Sequence, residues 1–129
     1  AQIIGLVQDP SWLGVCLDTC HVFAAGYELR TRDGYEETWQ QFDEILGLSL
    51  LKFVHLNDSK GCLGCRLDRH EQIGQGELGV EPFRFLLNDP RVRHLPMVLE
   101  TPKGPKMEED VENLALLRSL INYEEGGQA

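Results

Sequence analysis

The chain has 129 residues, of which 42% are hydrophobic and 26% are charged, and no run approaches the roughly 18 apolar residues that a membrane span needs. Its net charge of −9, from 21 acidic residues against 12 lysines and arginines, argues against a broad basic surface for nucleic acid. The net charge does not exclude a local patch that faces phosphate, because bound metal ions could supply the positive charge.

The first predicted element is a short helix at the start of the chain. Ile3, Ile4 and Val7 recur at helical spacing, and Asp9-Pro10 then interrupts the pattern. The chain begins without methionine and shows no signal peptide, so we expect a cytoplasmic protein of bacterial type and interpret the chain as part of something longer. A nuclear or organellar location stays open.

A short strand and a long connection are predicted next. The apolar run 13–17 has the length of a strand, and it ends in Asp18 with His21 three residues later. Residues 22–35 contain two glycines and mixed charges, which predicts a long connection, with an added helical turn over residues 22–25 left open.

A helix is predicted over residues 36–46, because apolar side chains recur there at helical spacing and Gly47 provides a C-terminal stop. The second strand candidate, residues 50–56, runs into the polar stretch His55–His70. That stretch combines histidines, aspartates, arginines, a lysine, an asparagine and a Cys-x-x-Cys. Such a density of metal-type side chains beyond a strand indicates a site rather than a solvated loop.

The remaining elements follow the same alternation. Residues 73–79 are too rich in glycine for regular structure, and Pro82 suits the first turn of a helix that ends near Asn88. Residues 96–100 form the third strand candidate. The last helix is predicted over residues 108–120, with an apolar face made by Val111, Leu114, Leu117 and Leu120. We expect residues 123–129 to be a disordered tail.

The order strand, helix, strand, helix, strand, helix predicts an α/β fold with a parallel sheet covered on both faces. Each predicted strand ends in a ligand-type residue, namely Asp18, His55 and Glu100. Chemistry at the C-terminal ends of parallel strands is typical of α/β barrels and of open α/β sheets. Three such units cannot close a barrel of eight, and a free-standing sheet of three strands would leave much apolar surface bare.

The candidate metal ligands are carboxylates and imidazoles: Asp18, His21, His55, Asp68, His70 and Glu100. Without thiolate, such a set suits catalytic zinc or manganese better than structural zinc. Taken singly, each has a structural reading, such as Asp18 capping a loop or Asp68 forming a surface ion pair. Hydrolysis of a phosphodiester and metal-assisted sugar isomerisation both remain open from residue type alone. His94 falls outside the pattern, and we expect it at the surface.

The four cysteines form no convincing zinc site. Cys62 and Cys65 have the spacing of a zinc knuckle, but Cys16 and Cys20 are poorly spaced for a second pair. With no secretory signal, reduced and incidental thiols are the better interpretation.

Four motifs in order resemble the endonuclease IV family of apurinic/apyrimidinic endonucleases. They are GVCLDTCHVFAAGY over 14–27, HLNDSK over 55–60, GCRLDRH over 64–70 with GQGELG over 74–79, and VLETP over 98–102. The resemblance runs from about residue 10 to about residue 120, and it corresponds to the C-terminal portion of the family, about three βα units. It implies a TIM (β/α)8 barrel of the xylose isomerase-like superfamily.

The resemblance also implies a function. Members are zinc-dependent DNA-repair endonucleases that cleave double-stranded DNA on the 5′ side of an abasic site, leaving a 3′-hydroxyl and a 5′-deoxyribose phosphate, and that trim blocked 3′ ends. The full-length enzyme would be a monomer with three zinc ions and no membrane association. A metal-dependent sugar isomerase or epimerase of the same superfamily, or a non-catalytic zinc-binding remnant, is the alternative.

Site residues carry over one by one from the resemblance. Asp18, His55 and Glu100 match ligands of one zinc, and His21, Asp68 and His70 match the complete protein ligand set of another. Arg69 matches a position placed against DNA, and Glu100 would also help to hold a metal-bound hydroxide.

Two departures from the family pattern stand out. Cys65 occupies the place of a usual serine, and the family's other ligands, two histidines and a bridging glutamate, lie on upstream strands that this chain lacks. We therefore expect residues 1–129 to be a partial TIM-barrel domain that holds one complete zinc site and is inactive alone.

Overall fold

A computed structural model of the chain describes residues 1–122, so the predicted disordered tail over 123–129 lies outside the described residues. Three strands form a parallel sheet: β1 (Val15–Asp18), β2 (Leu51–Leu56) and β5 (Met97–Leu99), in the order β1-β2-β5. Two shorter strands, β3 (Asp58–Ser59) and β4 (His70–Glu71), pair antiparallel. The predicted strands over 13–17, 50–56 and 96–100 are therefore present, each shorter by one or two residues or shifted slightly.

Helices alternate with the parallel strands, as the periodicity predicts. They are α1 (Gln2–Leu6), α2 (Thr19–Ala24), α3 (Arg32–Ile45), α4 (Glu81–Asn88) and α5 (Glu108–Ser119), with single 3₁₀ turns at Pro10–Trp12 and Leu48–Leu50. Across residues 1–122, no helix is both long enough and apolar enough to cross a membrane.

The predicted connection over residues 22–35 is shorter in the structure: the helical turn left open at its start is present as the end of α2, and the prediction of a connection as far as residue 35 is wrong. Helix α2 begins directly after β1, because the Asp18 carboxylate accepts hydrogen bonds from the first amides of the helix. Helix α3 starts at Arg32 rather than at 36, because Thr31 caps it by accepting a hydrogen bond from the Gly34 amide. A side-chain cap determines where each of the two helices begins. The start of α3 could not be predicted from apolar periodicity, because a glycine lies in its first turn.

The predicted apolar face of α5 is half wrong. Leu117 and Leu120 are buried, at 4% exposure each, but Val111 is 69% exposed and Leu114 is 40% exposed. Asn113 is buried on the inward face of the same helix, where its side chain accepts a hydrogen bond from the Ile73 amide and donates to Gln72 and Thr101. The inward face of α5 therefore combines leucines with a buried amide whose hydrogen bonds are satisfied.

The core lies between the sheet and the helices. Its largest fully buried side chains are Trp39 and Tyr35 from α3, Phe23 from α2 and Phe83 from α4, packed around Val54 of β2. This packing holds α2, the helix that carries His21, against the C-terminal end of the sheet.

The glycine-rich segment 73–79 is irregular, as predicted, but it is tied down by one buried carboxylate. The two oxygens of Asp58 accept hydrogen bonds from the amides of Gly74, Gly76 and Leu78, at 2.8–3.0 Å. At Gly76 an added Cβ would lie 2.3 Å from the Ser59 carbonyl oxygen, so only glycine allows this close approach. Asp58 therefore determines the course of a segment whose own sequence predicts no regular structure.

A second buried carboxylate, Asp89, follows α4 and joins two elements. Asp89 accepts a hydrogen bond from the Tyr35 hydroxyl at 2.7 Å and pairs with the Arg91 guanidinium at 2.8 Å. Burial alone would raise the pKa of Asp89, but the hydrogen bonds from Arg91 and Tyr35 outweigh it and hold the pKa below the ordinary value of 3.8.

We expect the Asp89→Asn variant to be less stable than the wild type by about 1–3 kcal/mol near neutral pH. Because the folded-state pKa is lowered, the ionised carboxylate stabilises the fold above pH 3.8 and this contribution is lost as the pH falls below that value. Urea unfolding at about pH 6 and about pH 3 should therefore show the difference between the two proteins shrinking in acid. An unchanged difference at the two pH values would contradict the assignment.

Candidate metal centre

The register of the parallel sheet brings the three predicted strand-end residues together. Asp18 pairs with His55 across β1 and β2, and His55 pairs with Val98 across β2 and β5, so Glu100 follows at the same edge. His55 Nδ1 lies 3.8 Å from an Asp18 oxygen and contacts the Glu100 carboxylate directly. One ligand atom from each of Asp18, His55 and Glu100 falls within 4.8 Å of the other two.

A second group of donors forms beside the first. His21 projects from α2, Asp68 lies at the end of the loop that follows β3, and His70 is the first residue of β4. His21 Nε2 lies 2.8 Å from an Asp68 oxygen, and His70 Nε2 lies 3.4 Å from the same oxygen. One ligand atom from each of these three residues also lies within 4.8 Å of the other two.

Asp18 joins the two groups into one cluster. Its Oδ2 atom lies 3.9 Å from His21 Nε2, 3.8 Å from His55 Nδ1 and 3.5 Å from His70 Nε2. This buried oxygen therefore lies between the two donor groups, within 3.9 Å of an imidazole nitrogen of each of the three histidines. The six predicted residues therefore lie at one site.

The two oxygens of Asp18 have separate roles. Oδ1 caps α2, accepting hydrogen bonds from the amides of Cys20 and His21 at 2.9 and 3.2 Å. Oδ2 faces the histidines and accepts one hydrogen bond, from the Asn57 side chain at 3.0 Å. The capping role and the ligand position are thus both present, on different atoms of the same side chain.

Asn57 is a positioning residue that motif reasoning did not single out. It is fully buried, and besides holding Asp18 its Oδ1 accepts a hydrogen bond from the Glu100 amide at 2.8 Å. Its own amide donates to the Thr19 hydroxyl, which ties β2 to the start of α2. Asn57 therefore fixes the relative positions of Asp18 and Glu100. The feature of the sequence that indicates this role is an asparagine directly after the strand that carries His55.

His70 is oriented by its second ring nitrogen. Nδ1 lies 2.9 Å from the backbone carbonyl oxygen of Glu100, the hydrogen bond by which metal-binding imidazoles are commonly oriented. Within residues 1–122, the buried Nε2 atom of His70 has no hydrogen-bond partner. A buried imidazole nitrogen left without a partner is unusual, and a bound metal ion would satisfy it. The residues present therefore fit a metal ion.

Cys20 also lies beside the cluster, with a ligand atom within 4.8 Å of Asp18 and His70. Its thiol donates to the Arg69 carbonyl at 3.5 Å, and burial raises the pKa of the Cys20 thiol above its ordinary value. A protonated thiol engaged with a carbonyl is a poor metal ligand. A donor set made only of imidazole and carboxylate stays a prediction, with Cys20 as a neighbouring sulfur.

The loop between β3 and β4 presents basic side chains next to the cluster. A cleft of about 300 Å³ is lined by Arg66 together with His21, Asp68, Ala24 and Ala25. Arg66 has a positive φ of 58°, and its amide donates to the Ala24 carbonyl at 2.9 Å. Arg69, the predicted DNA contact, is exposed but is not part of the lining of this cleft. Arg66, which lines this cleft, was not among the site residues predicted from the sequence.

His94 and the four cysteines are the remaining residues that the sequence singled out. His94 is exposed, as expected for a surface histidine outside the cluster. Cys16, Cys62 and Cys65 are exposed free thiols and Cys20 is a buried one, so the described residues contain no four-cysteine zinc site.

Comparison with known proteins gives consistent matches over nearly the whole chain. A family model described as a xylose isomerase-like TIM barrel matches residues 1–120. A probable endonuclease 4 from Chloroflexus aggregans is 55% identical over 121 residues, which cover 94% of this chain and 42% of that protein. A probable endonuclease 4 from Citrifermentans bemidjiense is 58% identical over 112 residues, covering 87% of this chain and 40% of that protein.

A solved structure matches as well. The crystal structure of endonuclease IV from Thermus thermophilus superimposes with a TM-score of 0.77 at 42% identity, covering 92% of this chain and 42% of the other. The chain thus spans about 42% of the length of these relatives.

Proposed function

Because the chain belongs to the endonuclease IV family of xylose isomerase-like TIM barrels, we propose that it forms part of a zinc-dependent DNA-repair endonuclease. The substrate is double-stranded DNA containing an abasic site or a blocked 3′ end. The reaction is hydrolysis of the phosphodiester on the 5′ side of the abasic site, which leaves a 3′-hydroxyl and a 5′-deoxyribose phosphate. The proposal places the enzyme in the bacterial cytoplasm as a monomer.

The observation that carries this proposal is the convergence of six imidazole and carboxylate residues around the Asp18 oxygen at the C-terminal edge of a parallel sheet. In TIM barrels this edge is where catalytic residues gather. Ligand atoms of this chemical type suit zinc in a catalytic rather than a structural role. The high identity to relatives named endonuclease 4 points to DNA as the substrate.

We assign the ligands to two ions. His21, Asp68 and His70 hold one zinc ion with a complete set of protein ligands, while Asp18, His55 and Glu100 supply ligands to a neighbouring position that needs further donors. Bound zinc would supply a Lewis acid that activates water near neutral pH and stabilises charge on the phosphate. Residues 1–129 form a partial barrel in this proposal and hold one complete site.

The chain's own residues have distinct tasks at this centre. The Glu100 carboxylate contacts His55, and its side chain is 44% exposed, so one oxygen can orient the attacking water while the other faces the ligands. Asn57 fixes the Glu100 amide and the Asp18 carboxylate in register, which limits movement of the reacting groups. Arg69 and Arg66 contact phosphates of the DNA backbone and supply positive charge there, in a chain whose net charge is −9.

A hybrid protein tests the proposal. This chain would replace the matched 121 residues of the Chloroflexus aggregans relative, with that relative unchanged as the control. We expect the hybrid to incise duplex DNA at an abasic site, to lose this activity on chelation and to regain it with zinc. A folded, zinc-loaded hybrid that turns over a ketose but leaves abasic DNA intact would instead support a sugar isomerase.

The 129-residue chain alone is expected to show no incision, because one complete zinc site cannot provide the full centre. Incision by the purified chain that disappears on adding a chelator would contradict this expectation.

A further inference from the structure

Cys62 and Cys65 lie at the two ends of a four-residue turn on the surface, and neither belongs to a group of residues that could hold a metal ion in the described part of the chain. Both are exposed free thiols. The Cys65 amide donates to the Cys62 carbonyl at 3.2 Å, and Gly64, the third residue of the turn, has a φ of +74° that favours glycine. The Cα atoms at the ends of such a turn are within about 7 Å, close to the roughly 4.4–6.8 Å that a disulfide spans.

The Cys65 side chain turns back toward the start of the turn. Its sulfur lies so close to the backbone before Cys62 that a Cβ added to Gly61 would be only 2.6 Å from it. The neighbouring Cys65 thiol also raises the pKa of the Cys62 thiol above its ordinary value. The Cys65 sulfur is therefore positioned on the side of the turn from which Cys62 starts.

The backbone around the turn is held in place from both sides. The Gly64 amide donates to the Phe23 carbonyl at 3.0 Å, and the Arg66 amide donates to the Ala24 carbonyl at 2.9 Å. Both acceptors lie at the C-terminal end of α2. Before the turn, the Lys60 amide donates to the Arg69 carbonyl at 3.0 Å. Because the turn is already ordered, bringing its ends together costs little conformational entropy.

We infer that Cys62 and Cys65 form a dithiol site that low-molecular-weight disulfides, such as glutathione disulfide, oxidise to an intramolecular disulfide. One thiolate attacks a sulfur of the reagent, forming a mixed disulfide and releasing one small thiol. The other cysteine loses its proton and attacks the mixed disulfide, forming the Cys62–Cys65 bond and releasing the second small thiol. The protein loses two protons and two electrons, and the reagent is reduced to two thiols.

The other two cysteines offer a contrast within the same molecule. Cys20 is buried with its thiol donating to the Arg69 carbonyl, whereas Cys16 is exposed on β1. Cys16 can form a mixed disulfide with the reagent, but it lies on a strand rather than at the end of a turn that carries a second thiol. Its adduct should therefore persist.

Mass spectrometry of the purified protein after incubation with glutathione disulfide tests the inference. We expect the peptide that carries both cysteines to lose about 2 Da, reversibly with a reductant. Cys62→Ser and Cys65→Ser should each retain a glutathione adduct at the remaining cysteine, at least about tenfold more than the wild type does at these positions. Cys16→Ser should leave the reaction of the pair unchanged.

Three results would overturn the inference. Stable glutathione adducts on Cys62 or Cys65 in the wild type, at the level of the serine variants, would show that the pair does not close. Bonding of either cysteine to Cys16 or to a second chain would show that their nearest reactive partner lies elsewhere. No reaction at the pair while Cys16 is modified would show that its thiols are inert.

Discussion

Replacing His70 with alanine is expected to lower the zinc affinity of the chain by roughly 100-fold or more, because it removes a ligand of the only proposed complete zinc site. His70 is also the imidazole whose Nδ1 is fixed by the Glu100 carbonyl and whose Nε2 is buried without a partner in the described part of the chain. Competition with a chromophoric chelator would measure the loss. Circular dichroism would check that the variant remains folded.

His94→Ala is the matched control, since His94 is an exposed histidine outside the cluster. Both variants should be compared in a background in which Cys62 and Cys65 are serines, so that exposed thiols do not bind the metal themselves. Equal zinc affinities for the wild type and the His70 variant, or an equal loss in the His94 variant, would contradict the assignment of this site.

The Glu100→Gln substitution, made in the hybrid enzyme, is expected to reduce incision at abasic sites by about 1,000-fold or more. The amide keeps the shape of the side chain but removes the negative charge that faces His55 and the proposed attacking water. Single-turnover kinetics with zinc-saturated protein would separate this effect from weaker DNA binding. Zinc content should be measured in parallel, because Glu100 is also a proposed ligand.

Glu112→Gln provides the control for Glu100, since Glu112 is an exposed glutamate on α5. It should incise at the wild-type rate. If the Glu100 variant binds zinc normally and retains full incision, then Glu100 neither holds the water nor completes the metal centre.

Much of the fold and of the candidate site could be predicted from local sequence. The alternation of apolar runs and helical periodicity predicted the three parallel strands, and the prediction of part of a TIM barrel in the endonuclease IV family is confirmed by the family and structural matches. The residue types at the strand ends, Asp18, His55 and Glu100, predicted where chemistry would gather. Parallel strands place their C-terminal ends at one edge, so this inference needs no knowledge of packing.

The errors arose where one buried polar side chain or one helix cap decided the outcome. Asn113, and not Val111 or Leu114, lies buried on α5, and Thr31 caps the start of α3 within a segment that was predicted to be a connection. Asp58 fixed the glycine-rich segment through backbone amides. Periodicity records apolar burial, and it carries no information about which distant amide a buried polar group will find.

Local pattern and residue type were enough to predict the family, the type of fold and the chemical identity of the six candidate ligands. That the two ligand sets form one cluster is visible only in the folded chain. That outcome depends on the register of β1 against β2, which places Asp18 beside His55. It depends also on Asp18 using one oxygen to cap α2 while the other faces the histidines. It depends equally on Asn57, whose bonds to Asp18 and Glu100 join residues 39 and 43 positions away in sequence. Hydrogen bonds over such separations exist only once the sheet has formed, and local pattern cannot predict them.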